Sequence, residues 1–108
     1  MFTAIRATDL AERLRSGQPT VLVDVRQPWE HELANLPGSV LIPLAELPER
    51  VGEIEAPEGA LVVAYCHHGV RSQSGAAILD KQGVQNVASL IGGIEAWSLE
   101  VDPKTPRY

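Results

Sequence analysis

In the stretch Val21-Leu22-Val23-Asp24-Val25 every residue but Asp24 is apolar, so a strand built from it has two faces to cover. A parallel sheet packed on both sides by helices meets that demand, and a sheet with one wet face does not. Leu61-Val62-Val63-Ala64, continuing into Tyr65, is a second apolar run and predicts another strand. Shorter strands are expected at Phe2–Ile5 (an edge), Val40–Ile42 (stopped by Pro43) and Val87–Ile91. Helical signals alternate with them. Thr8 reads as an N-cap with Asp9 in the first turn, Leu10 and Leu14 share a face, and Gly17 ends that helix. A short polar helix follows Arg26 and runs to about Leu33, with Glu30, His31 and Glu32 on its solvated face and Trp29 as a packing residue. The stretch Leu44–Glu55 is broken at Pro48 into short helices, Gln73–Gln82 is a helix closed by Gly83, and Ile94–Leu99 is a last short one. Two prolines keep the tail 102–108 extended. The alternation predicts an α/β fold with a mostly parallel sheet and right-handed crossovers. Ligand sites in such folds gather at the carboxyl ends of the strands.

The chain has 108 residues and 44% hydrophobic content, which suits one domain, with a core from about residue 5 to 101 ahead of the tail. Net charge is −5 and no run of Lys or Arg favours nucleic acid or an anionic membrane. The longest apolar stretch, Ala60–Cys66, falls well short of the about 20 residues a membrane span needs. The N-terminus turns polar at Thr3 and Arg6, so no signal-peptide core is expected. A single cysteine excludes an internal disulfide and fits a cytoplasmic setting.

That cysteine sits in Tyr65-Cys66-His67-His68-Gly69-Val70-Arg71-Ser72, between a strand and a helix. Backbone N–H groups in such a Gly-containing turn point inward, and the positive end of the following helix dipole adds to them. The turn therefore favours a thiolate and makes Cys66 the candidate nucleophile. A buried structural thiol is the ordinary role for a lone cysteine at a strand end. It would need neither Gly69, nor Arg71, nor two histidines beside the sulfur. Arg71 opens a helix whose dipole disfavours a cation, which implies an anion or a carboxylate as its partner. Ser72 is expected to cap the helix with its hydroxyl. Asp24, at the next strand end, is a supporting residue paired with backbone or arginine, and Arg26 divides between donor binding and structural pairing.

These residues carry a resemblance. Leu22-Val23-Asp24-Val25-Arg26, then Leu36-Pro37-Gly38-Ser39-Val40 running into Ile42-Pro43-Leu44, resemble the first half of a single-domain rhodanese. Val62–Ser72, followed by Gly92-Gly93-Ile94-Glu95-Ala96-Trp97, resembles the second half. The resemblance implies a three-layer fold, a central five-stranded, mostly parallel sheet flanked by helices. It also implies a sulfurtransferase with no metal or organic cofactor. In that family the loop cysteine takes a sulfane sulfur from a small anionic donor such as thiosulfate, carries it as a persulfide, and passes it to cyanide or a thiol. Carried over residue by residue, Cys66 is the nucleophile, the cradle is His67, His68, Gly69, Val70, Arg71 and Ser72, and Arg26 falls where some members hold the donor anion. Ala34-Asn35-Leu36 replaces the Gly-His that commonly precedes the Pro-Gly turn. His67 stands where thiosulfate-using members often carry Arg or Lys. If a charged His67 or His68 binds the donor, turnover should improve from about pH 8 to about 6.

Three other readings compete. The spacing Cys-x4-Arg is one residue shorter than the Cys-x5-Arg of related dual-specificity phosphatases and arsenate reductases, whose wider loop takes a tetrahedral oxyanion. A metal site at Cys66, His67 and His68 is disfavoured because adjacent residues rarely converge on one ion. A partner-dependent sulfur carrier or redox-sensing module with little free turnover is the main alternative to an enzyme.

Overall fold

The computed structural model describes residues 1–108. Val62–Tyr65 are buried at every position, because the strand they form lies in the middle of the sheet with helices on both sides. Five strands pair throughout in parallel: β1 (Thr3–Ile5), β2 (Thr20–Asp24), β3 (Val40–Leu41), β4 (Leu61–Tyr65) and β5 (Val87–Leu90), in the spatial order β1-β5-β4-β2-β3. The helices are α1 (Ala7–Arg15), α2 (Pro28–Leu33), α3 (Leu47–Arg50, between two short 3-10 turns), α4 (Arg71–Lys81) and α5 (Gly93–Glu100).

Strand side chains alternate between the faces and so divide the core in two. Val63 and Tyr65 of β4 join Leu10 of α1 and Ile94 and Trp97 of α5 on one side. Val62 and Ala64 join Leu47 of α3 and Ala76 and Leu79 of α4 on the other. Each fully buried aliphatic side chain is worth about 1.5–3 kcal/mol. The three layers follow: helices, parallel sheet, helices.

Local chemistry moves several boundaries. α1 starts at Ala7 with Arg6 as N-cap, so Thr8 lies exposed in its first turn, and Leu14 remains 37% exposed at its end. α4 starts at Arg71, two residues before Gln73. Glu30 is 3% exposed and lies off any solvated face, whereas Trp29 is 61% exposed and lies outside the core. The tail is not extended: an Asp102–Thr105 turn folds it back toward the carboxyl ends of the strands. No helix is long and apolar enough to cross a membrane.

Candidate active site

β4 delivers Cys66 to the carboxyl edge of the sheet, and the chain then wraps around its sulfur. The amides of Gly69 and Ser72 donate to Cys66 Sγ at 3.1 and 3.3 Å. Ser72 belongs to the first turn of α4, a helix with no side-chain cap. Its hydroxyl bonds Ser89 Oγ instead, at 2.7 Å in the core, so the expected hydroxyl cap is absent. The sulfur takes the place of a capping oxygen, accepting a first-turn N–H that would otherwise be unpaired. Cys66 is 1% exposed, at the bottom of the loop.

Three glycines hold this turn. Gly69 has φ +94°, and a Cβ there would lie 2.8 Å from the Gly92 nitrogen and 3.2 Å from the Leu90 oxygen. Gly92 and Gly93 have φ of +74° and +60°, and a Cβ on Gly93 would overlap the carbonyls of Cys66 and His67. Through that gap the Ile94 and Glu95 amides at the start of α5 donate to the Cys66 and His67 carbonyls, at 2.9 and 3.1 Å. The Cys66 and His67 carbonyls are thus turned toward α5 while amides further along the loop face the sulfur.

Every arginine at the site has a protein partner. Arg71 donates to Glu30 through Nη1 at 2.6 Å and Nη2 at 2.8 Å. The hydrogen bond from Arg71, ahead of those from Tyr108 and the Gln27 backbone and against the effect of burial, holds the Glu30 carboxyl down at about 2. The same hydrogen bond raises Arg71, with a smaller contribution from the nearby Cys66. Arg26 is fully enclosed. Its Nε and Nη2 meet Asp24 at 2.8 and 2.7 Å, Nη2 also meets the Ala34 carbonyl at 2.5 Å, and Nη1 meets the Tyr108 hydroxyl at 2.8 Å. Asp24 is also 2.8 Å from His31 Nδ1. Of the two roles open to Arg26, this geometry favours structural pairing.

The His67 ring lies between His68 and Tyr108, with centroids 3.8 Å away on each side. Burial, then the neighbouring His68, pushes the His67 imidazole below its ordinary value, which favours the neutral ring. Its Nε2 is sealed from solvent without a partner. Val70 is 74% exposed and lines the rim. No group of three or more His, Cys, Asp and Glu side chains is placed to hold a metal ion.

Glu30 and Tyr108 are the site residues that sequence reasoning missed. A signal existed for Glu30: Gln27-Pro28-Trp29-Glu30 is a capping box with Pro in the first turn, and the box turns the Glu30 carboxylate back over the helix start. Nothing near Tyr108 in the sequence marks it.

Residues 6–100 match the family model of the rhodanese-like domain. A sulfurtransferase of Allochromatium vinosum is 37% identical over 98 residues, covering 91% of this chain and 90% of that protein. An adenylyltransferase and sulfurtransferase of Zea mays, MOCS3-2, is 36% identical over 97 residues, covering 85% of this chain but 20% of that protein. This chain spans between a fifth and just over a quarter of the first such longer relatives. Among solved structures, a rhodanese-related protein from Thermoplasma volcanium superimposes with a TM-score of 0.81 at 30% identity, covering 93% of this chain and 94% of that one.

Proposed function

The chain belongs to the rhodanese-like domain family, and from that premise we propose that it transfers sulfane sulfur through a persulfide on Cys66. Sulfur transfer in general is what the similarity to a single-domain sulfurtransferase supports. One observation carries the finer reading: the Gly69 and Ser72 amides converge on one buried sulfur. Main-chain dipoles set in advance stabilise negative charge without having to reorganise. The outer sulfur of a persulfide anion carries the charge that the thiolate carried before it, so a loop that turns amides toward the sulfur suits both states.

In the first step the Cys66 thiolate attacks the outer sulfur of a donor such as thiosulfate. A bond forms from Sγ to that sulfur, the donor's S–S bond breaks, and sulfite leaves with the electron pair. In the second, cyanide or a thiolate attacks the outer sulfur of the persulfide. The Sγ–S bond breaks, its electron pair returns to Sγ, and thiocyanate or a new persulfide departs. No residue is required as a general base, and the covalent intermediate makes the kinetics ping-pong. Asp24 and Arg26 act as structural support. Arg71 is bound to Glu30 and so is poorly placed to grip a phosphate, which leaves the phosphatase reading unsupported.

A second reading draws on the pairing of Arg26 and Arg71 with protein acceptors and on the net charge of −5. Without a free side-chain cation at the loop, a small dianion is weakly attracted, and a partner protein that presents a persulfide directly is better served. The MOCS3-2 relative joins adenylyltransferase and sulfurtransferase in one name.

Intact mass after incubation with thiosulfate tests the mechanism. A gain of one sulfur atom, absent in Cys66→Ser and reversed by cyanide, is expected. No gain with thiosulfate or with an organic persulfide would overturn it. Repeated turnover to thiocyanate would then separate an enzyme from a carrier that loads once.

A further inference from the structure

The final residues of this chain are built into the site. The tail leaves α5 with the Asp102 amide on the Trp97 carbonyl at 3.0 Å, and the Thr105 carbonyl accepts from the buried Ser98 hydroxyl at 2.8 Å. Arg107 then grips the Glu95 carboxylate with Nε and Nη2 at 3.1 and 2.7 Å. These attachments place the Tyr108 ring face to face with His67, the residue after the nucleophile, at a 9° interplanar angle. The Trp29 ring meets it edge-on at 5.8 Å. The Tyr108 hydroxyl donates to Glu30 Oε2 at 2.6 Å and accepts from Arg26 Nη1 at 2.8 Å. Glu30 is the carboxylate that holds Arg71.

Two consequences follow from that placement. The ring lies flat on His67, next to a cysteine that is only 1% exposed, and so covers one flank of the loop. The hydroxyl, bonded to one oxygen of the carboxylate that Arg71 also uses, limits how far the Arg71 guanidinium can swing. A merely solvated tail would need neither contact.

Resting on the sulfur-transfer reading, we propose that Tyr108 determines acceptor specificity: its ring is the wall that favours small acceptors at Cys66. The wall acts by size, which separates it from a merely structural role. A loss of stability would affect small and large reagents alike.

The experiment uses the full chain as wild type, Tyr108→Ala, Tyr108→Phe and Arg107→Gln. Cys66 is alkylated with iodoacetamide and with fluorescein maleimide, and the sulfur-loaded protein is discharged to cyanide and to glutathione. In Tyr108→Ala the bulky-to-small rate ratio should rise about tenfold in both assays, with the gain in discharge appearing in KM for glutathione. Tyr108→Phe should keep the wild-type ratio because the ring remains. Arg107→Gln, which loosens the tail on α5 while leaving the ring intact, should raise the ratio about threefold, and it decides the matter if Tyr108→Ala does not fold. An unchanged ratio in the folded variants overturns the proposal. If the wild type takes up no sulfur while the alkylation ratio still shifts, the sulfur-transfer reading fails and the wall stands as a gate on the thiol alone.

Discussion

Arg71 places both terminal nitrogens on the carboxylate of Glu30, a residue 41 positions earlier, and so ties the start of α4 to α2. Glu30 falls from its ordinary 4.5 to about 2, led by the hydrogen bond from Arg71. The folded state therefore holds fewer protons on this group than the unfolded chain does between those values. Its stabilisation is complete above about pH 4.5 and is lost as pH falls toward 2. Because the Arg71 side chain is 36% exposed, solvent screening reduces the pair to about 2 kcal/mol. Urea unfolding between pH 7 and 2 should show that loss in the wild type and a flatter curve in Glu30→Gln. Parallel curves would remove Glu30 from the acid transition.

Gly93→Ala should damage the site and the fold together. The new Cβ would strike the Cys66 and His67 carbonyls, which are backbone atoms and cannot swing aside. The positive φ adds about 1 kcal/mol of strain, and displacing the loop about 2 more. Thermal melting should drop by several degrees, and sulfur loading by more than about tenfold at temperatures where the variant is still folded. Full loading would show that the contact between α5 and the loop is dispensable to the cradle.

Ser72 contributes to the site through its backbone, not its hydroxyl. Ser72→Ala keeps the amide on Cys66 Sγ but strands the buried Ser89 hydroxyl, at a cost of about 1–3 kcal/mol. Sulfur loading should stay within about twofold of wild type. The double variant Ser72→Ala with Ser89→Ala should recover much of the lost stability, because neither hydroxyl is then left unpaired. A double-mutant cycle by chemical denaturation checks this, and strictly additive losses would contradict it.

Asp24 serves Arg26 and His31 at once, with no solvent reaching either the carboxylate or the guanidinium. Asp24→Ala leaves a buried cation without its counter-charge and should cost about 3–5 kcal/mol. Tyr108 loses its anchored partner as well, so the aromatic stack on His67 should loosen in the same variant. Denaturant midpoints and the near-ultraviolet circular dichroism of the stack give the two readouts, and a loss under 1 kcal/mol would mean that Arg26 finds another acceptor.

His67 is not expected to shape the pH dependence of any turnover with thiosulfate. Its imidazole lies below the ordinary 6.5, first through burial and then through His68, so protonation is displaced to lower pH. A rise in turnover from pH 8 to 6 driven by a charged His67 is therefore not expected. His67→Ala should leave the shape of the profile over that range unchanged. Disappearance of an acid-side rise in the variant would restore a charged His67 to donor binding.

The strands and the amide-lined position of Cys66 were legible in the residues themselves, because each follows from neighbours in the chain. Runs such as Leu61–Tyr65 have to be covered on both faces, and a cysteine between a strand and a Gly-containing helix start has to lie among backbone amides. Only the tertiary structure decided who pairs with whom. Ser72 turns to Ser89, Arg71 to Glu30 and Arg26 to Asp24, and Tyr108 returns from a tail that local sequence describes as extended. The hydroxyls of Ser72 and Tyr108 and the guanidiniums of Arg26 and Arg71 are each satisfied by whichever partner packing brings within reach. For Ser72, Arg71 and Tyr108 that partner lies 17, 41 and 78 residues away, where no local pattern can name it.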